Sequence, residues 1–197
     1  MPAELKRSNT GPIVMFPLKT SRLILRPFLE LDLAAFTAYR SDPEVARYQS
    51  WEVPYSLAQA EVYFEELKQA QLGMPGEWYA FAIERQSAPG IIGDCAFQVL
   101  SNDPLQAQIG YTLAREHWKQ GYAAEAVKGL LDYLFDKFTL HRITATCDAE
   151  NTASFQLLER VGMRREAHFI ENIWFKGSWG SEYLYALLRS EWKSLRG

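Results

Sequence analysis

The run from residue 105 to residue 138 constrains this chain more tightly than any other. In LQAQIGYTL (105–113), Ala107, Ile109, Tyr111 and Leu113 alternate with Gln108, Gly110 and Thr112, the period-two pattern of a strand whose two faces differ. From about 121 to 138 the period changes. Ala123, Val127, Leu130, Leu134 and Phe138 form an apolar stripe, with Lys128, Asp132 and Asp136 opposite, as an amphipathic helix requires. Between strand and helix lies HWKQGYAAEA (117–126), a corner rich in glycine and alanine. A helix leaves its first four N–H groups unpaired and carries a partial positive charge at that end. Gly121 lacks the Cβ that would block an approaching anion. Gln120, Gly121, Tyr122, Ala123 and Ala124 therefore offer a nest of donors with little side-chain bulk. Taken alone, the same corner also fits a packing glycine at a strand-to-helix turn. Neither GxGxxG nor GxxxxGK followed by Ser or Thr occurs in the chain, which argues against the common nucleotide folds.

The flanking segments read as one α/β domain on a mixed sheet. RLILRPF (22–28) is a short strand ended by Pro27, and LELDLAAFTAYR (29–40) is a helix with Asp32 in its first turn. Ser56 caps a second helix, SLAQAEVYFEELKQAQ, which Gly73 stops. Strands at 78–84 and 90–100 form a hairpin through RQSAPG. RITATCD (142–148) is a strand, NTASFQLLERVG (151–162) a helix ended by Gly162, and two last strands flank KGSWG (176–180). A meander followed by a β–α–β passage implies helices on both faces of the sheet. The domain spans 1–197, with 1–19 a loosely held arm.

Composition sets the class. Hydrophobic residues make up 48% and aromatic residues 14%, enough to fill a core, so disorder is not expected. A formal net charge of -3 gives no support to a direct nucleic-acid partner. No run of about 18 apolar residues is present to span a membrane, and MPAELKRSNTGPIVMF has no signal-peptide pattern. Cys95 and Cys147 lie in strand-like runs without CxxC or His spacing. They read as reduced, core-facing thiols of a cytoplasmic protein. His117, His141 and His168 show no spacing suited to a metal.

Several motifs in one order carry a resemblance: TSRLILRPF, SDPEVARYQSW, IGYTL, the GYAAEA helix start, NTAS, and KGSWGSEYLYALLRSEW. From Thr20 to Trp192 the chain resembles the GNAT N-acetyltransferases of the RimJ/RimL type, which acetylate ribosomal-protein N-termini. The resemblance implies a GNAT fold: a central, mainly antiparallel sheet of about seven strands, splayed between the fourth and fifth, usually through a bulge. It implies acetyl-CoA as co-substrate, no metal, and an amine acceptor attacked directly in a ternary complex. Gly121 and Ala123 match the second half of the family's diphosphate loop, while Trp118 stands where Gln or Arg is usual. Lys119 adds a cation beside the phosphates or the adenine, or is simply solvated. Main-chain groups of Tyr111, Thr112 and Leu113 are expected to pair with the pantetheine arm like an extra strand, and N–H groups near Leu113 to hold the developing oxyanion.

Three positions depart from or qualify the family pattern. Leu158 occupies the place of the usual tyrosine acid, so the resemblance shifts proton donation to Ser154, four residues earlier on the same helix face. Asn151 is expected to cap that helix and to hold pantetheine or a water. Gln108 replaces a carboxylate that many relatives carry, leaving Glu171 as the leading base through a water, with Asp94 and Glu182 as further candidates. Weak base machinery suits an α-amine, of which about a tenth is neutral at pH 7; a lysine is neutral at about one part in a few thousand. Tyr48, Trp51 and Trp174 are candidate acceptor contacts or core residues. Monomer and homodimer are both compatible with the sequence. The competing readings are a small-molecule amine acetyltransferase, for an aminoglycoside, a polyamine or an amino acid, and a catalytically silent CoA-binding module.

Overall fold

Alternation and capping place the elements close to where the sequence predicts them. The structure, a computed structural model, describes residues 17–196. The strands are β1 (Leu18–Lys19), β2 (Leu23–Arg26), β3 (Trp78–Arg85), β4 (Ala88–Leu100), β5 (Asp103–Leu113), β6 (Arg142–Asp148), β7 (Arg164–Phe175) and β8 (Ser178–Leu188). The helices are α1 (Leu33–Arg40), α2 (Pro43–Ala46), α3 (Leu57–Gln69), α4 (Tyr122–Lys137), α5 (Thr152–Arg160) and α6 (Arg189–Arg196). Ser56 caps α3 as expected, its hydroxyl accepting from the Gln59 N–H. The helix ends at Ala70, which turns extended, and Gly73 lies in the turn beyond.

One sheet of eight strands runs β1-β2-β3-β4-β5-β6-β8-β7. All neighbours are antiparallel except β5 and β6. The eighth strand comes from the segment that the sequence reads as a loose arm. Leu18 and Lys19 pair with Leu25 and Ile24, and Leu18 packs on the core. The first 16 residues of that arm lie outside the described residues. The helix α6 also departs from the reading. Its sequence is mostly polar, but Trp192 is buried, stacks on Phe135 and donates to Asp132.

Apolar clusters cover both faces of the sheet. On one, Phe81, Phe97, Ile109, Ile143 and Tyr185 pack under Leu130 and Leu134 of α4. On the other, Ala82 and Ile91 pack under Phe36 and Tyr39 of α1 and Ala60 of α3. Within the second cluster the Arg40 guanidinium lies 3.9–5.1 Å from the rings of Phe36, Trp51, Tyr55 and Tyr63, a buried cation held by ring faces.

The feature that positions the site is a divergence. β6 pairs with β5 only across Gln106–Gln108 and Arg142–Thr144, so the two strands part beyond Gln108. No bulge in β5 causes this: its register with β4 is unbroken from Ala107↔Val99 to Leu113↔Gly93. β5 instead follows β4, while β6 follows β8 in register from Leu188 to Glu182. Gly93 holds β4 close at the far end, since a Cβ there would lie 2.2 Å from the Thr112 carbonyl oxygen.

Candidate active site

Main-chain direction along β5 decides what the gap presents. Successive residues of a strand turn their N–H and C=O to opposite sides. Ala114 donates to Ile92 of β4, and the Thr112 carbonyl faces Gly93. Ala107 faces β6, its carbonyl accepting from the Thr144 hydroxyl. By alternation Ile109, Tyr111 and Leu113 turn their main chains into the gap, where β6 no longer pairs. Thr112 does not. It lines the cleft, but its main chain belongs to the β4–β5 ladder, so of the expected Tyr111, Thr112, Leu113 set only Tyr111 and Leu113 turn their main chains into the gap, together with Ile109.

The gap opens into a cleft of about 670 Å³ that reaches from the corner before α4 to α5 and Tyr48. At the corner Lys119 and Gly121 both adopt left-handed backbone, φ 59° and 81°, a region glycine enters without a Cβ penalty. The first helical bond of α4 runs from Glu125 N–H to the Gly121 carbonyl. Because the N-cap is glycine, no side chain caps the following amides. Tyr122, Ala123 and Ala124 thus open onto the cleft with Gly121 and Lys119, a donor set that fits a diphosphate. Gln120 contributes backbone only: its side chain donates to Glu116 O, and its carbonyl accepts from Arg22. Trp118 donates its indole N–H to the Leu113 carbonyl at 2.7 Å, tying the corner to the end of β5.

The middle of the cleft holds two hydroxyls. Ser154 Oγ lies 2.8 Å from the Tyr111 phenol oxygen, which burial pushes well above its ordinary pKa. The Tyr111 side chain is a site residue that sequence reasoning missed, having counted only its main chain; inward alternation at 111, opposite the gap strand, was the available signal. Asn151 caps α5, its side-chain oxygen accepting from Ser154 N–H at 3.1 Å, and it also lines the cleft. Leu158 is fully buried. Cys147, a free thiol in the cleft wall, is pushed up to about 11 by burial, so it stays protonated near neutrality.

The carboxylates fall elsewhere than expected. Glu171 is exposed, left-handed at φ 46°, and sits in the irregular stretch of edge strand β7 between Phe169 and Ile173. It is absent from the cleft wall. Asp94 is buried beneath α1, where the Tyr39 hydroxyl donates to it at 2.5 Å and burial raises its pKa. Glu182 pairs across strands with Asp148 and accepts from Asn172. Gln108 is spent on Gln98 at 2.7 Å. The carboxylates in the cleft wall are Glu44, Asp148 and Glu150. Glu44 lies in the short α2, Asp148 ends β6 and Glu150 sits in the turn before α5.

The three acceptor candidates separate. Tyr48 lines the cleft. Trp51 turns inward, donating to Arg40 O and covering the Arg40 guanidinium. Trp174 is 62% exposed and packs edge-on against Trp179 at the outer end of the β7–β8 hairpin. Among the described residues no three of His, Cys, Asp and Glu converge to hold a metal, and no helix is long and apolar enough to cross a membrane.

Known proteins share this fold. Residues 22–164 match the acetyltransferase (GNAT) domain family. An uncharacterised N-acetyltransferase p20 of Bacillus licheniformis is 33% identical over 90% of this chain and 99% of its own length. A GNAT-family acetyltransferase from Bacillus anthracis superposes with a TM-score of 0.79 at 30% identity, covering 89% of this chain and 99% of that one. RimL, a ribosomal L7/L12 α-N-protein acetyltransferase solved with coenzyme A, shares the fold at TM-score 0.74 and 19% identity, covering 87% of this chain and 96% of its own. A splayed sheet, a bare helix start beside the splay and this family match converge: the chain belongs to the GNAT acetyltransferase family and is an acetyl-CoA-dependent N-acetyltransferase.

Proposed function

We propose that this chain is a cytoplasmic enzyme of the RimJ/RimL-type branch and acetylates the α-amine at a protein or peptide N-terminus. Acetyl-CoA supplies the thioester, whose acetyl carbon the amine attacks directly. The amides of Tyr122, Ala123 and Ala124 bind the diphosphate, with Lys119 beside them. Ile109 and Tyr111 offer main-chain groups to the arm, and the Leu113 N–H stabilises charge developing on the acetyl oxygen. Ser154 Oγ gives a proton to the departing sulfur, regains one from water in the cleft, and is held for that task by Tyr111. The ammonium proton leaves through water toward Asp148 and Glu150, which line the cleft where Glu171 does not. Tyr48 is the acceptor contact among the three aromatic candidates.

The observation that carries the acceptor assignment is that neither expected base position supplies a carboxylate to the gap, which leaves the proton to reach Asp148 and Glu150 through water. Gln108 is locked to Gln98 and Glu171 faces solvent. Such a site favours an amine already partly neutral at pH 7, hence an α-amine over a lysine. A small cationic amine is the second reading, favoured by Glu44, Asp148 and Glu150 along the cleft. Thiol release from acetyl-CoA, measured against a peptide N-terminus library and a panel of polyamines, aminoglycosides and amino acids, separates the two. Turnover is expected with free peptide α-amines; turnover confined to the small amines would overturn the assignment.

A further inference from the structure

Glu125 raises an electrostatic problem. It lies in the first turn of α4, directly after the amides assigned to the anion, and an unneutralised carboxylate there opposes a diphosphate. The chain answers with its first turn before β2. One carboxylate oxygen of Glu125 accepts from the Thr20 hydroxyl at 2.5 Å, the Ser21 hydroxyl at 2.9 Å and the Arg22 N–H at 2.7 Å. The other accepts from Arg22 Nε at 2.6 Å. The same guanidinium donates through Nη1 to the Gln120 carbonyl at 3.1 Å and lies 4.4 Å from the centre of the Tyr122 ring. Its Nη2 stands 3.4 Å from where a Cβ on Gly121 would be.

An exposed ion pair on its own contributes little, and the Arg22 side chain is 47% exposed. This one differs because a single planar fork joins three parts of the corner: the carboxylate behind it, the carbonyl before the left-handed glycine, and the ring after it. We infer that Arg22 is a positioning residue for the cofactor loop. It neutralises Glu125 and fixes the Gln120–Tyr122 turn so that the first amides of α4 face the diphosphate. The inference rests on the reading of that corner as the diphosphate site.

The test compares acetyl-CoA with acetyl-pantetheine, which lacks the diphosphate, as acyl donors. The quantity read is the ratio of their kcat/KM values. Arg22→Met leaves Glu125 charged beside the anion and is expected to lower the ratio about tenfold or more, the size of a lost charge-assisted hydrogen bond. Arg22→Lys keeps the charge but not the fork and should fall between. The diagnostic variant is Arg22→Met with Glu125→Gln. Removing the stranded charge should recover part of the ratio relative to Arg22→Met alone, which repair of a merely structural defect would not do. A fall in both donors by the same factor, or a double variant worse than the single, overturns the role of Arg22. Gly121→Val serves as the control for the underlying reading. If it lowers the ratio while Arg22→Met does not, the loop stands and the clamp fails; if neither changes it, the diphosphate lies elsewhere.

Discussion

Replacing Tyr111 by Phe removes one oxygen, and the structure says what that oxygen does. It lies 2.8 Å from Ser154 Oγ on a half-buried ring, and burial keeps the phenol protonated far beyond neutral pH. A hydrogen bond of this kind contributes about 1 kcal/mol to stability, so Tyr111→Phe should lower the unfolding free energy by roughly that amount and leave the fold intact. Its effect on turnover comes through Ser154, whose hydroxyl is then free to rotate away from the sulfur. A loss of ~1.4 kcal/mol of transition-state stabilisation corresponds to about tenfold in kcat. Ser154→Ala, which removes the donor itself, should cost about a hundredfold or more with little change in acetyl-CoA affinity. Because Tyr111 acts through Ser154, the double variant should be no slower than Ser154→Ala within about twofold. Single-turnover rates on the four proteins, with urea midpoints as the folding control, complete the cycle. A double variant slower by the product of the two factors would refute the coupling, and an unchanged rate in Ser154→Ala would remove the serine from proton transfer.

Other consequences are independent of that pair. Asp32 is 1% exposed and takes both forks of Arg26, at 2.7 and 2.9 Å; Asp32→Asn leaves Arg26 with Glu84 as its one carboxylate partner, at 2.6 Å, and should cost about 1.5–3 kcal/mol in urea unfolding, whereas a loss under about 0.5 kcal/mol would mean the pair is dispensable. Gly93→Ala places a methyl 2.2 Å from the Thr112 oxygen, so it should destabilise by about 1–3 kcal/mol and lower kcat by moving Leu113; normal values for both would show that β4 can shift without disturbing the site. Burial acts to raise the Glu125 pKa, but hydrogen bonds from Thr20, Arg22 and Ser21 outweigh it and hold the carboxyl at about 2, below the ordinary 4.5. A depressed carboxyl contributes stability that is full above pH ~4.5 and lost as pH falls through about 2, here up to ~3 kcal/mol. The drop in unfolding free energy between pH 6 and pH 2.5 should therefore be smaller in Glu125→Gln than in the parent, and equal drops would sink the argument.

Elements with strong local signals are legible in the sequence itself. The alternation of 105–113, the stripe of α4, the Ser56 and Asn151 caps and the glycine at the corner each depend on neighbours within a few residues, and each stands where the sequence predicts it. Weak signals failed in proportion. A two-residue strand at Leu18–Lys19 and a polar helix around Trp192 exist only because a sheet edge and Phe135 are there to receive them. The site divides the same way. The bare corner, Ser154 and Asn151 follow from motif and spacing, and all border one cleft. Glu171 and Trp174 carried plausible chemistry but lie outside its wall, and Trp51 turned to cover Arg40, because strand irregularity, hairpin placement and a buried cation are not local properties.

What the amino-acid order determined by itself is the succession of strands and helices and the unpaired amides at the start of α4, since period, capping and the missing Cβ act over one or two turns of chain. Only the tertiary structure decided that β5 and β6 part after Gln108, that Tyr111 meets Ser154 across 43 residues, and that Arg22 reaches back to brace the corner. Those outcomes depend on which strands share a register and which side chains meet after the chain has closed on itself, and no window of sequence contains both partners.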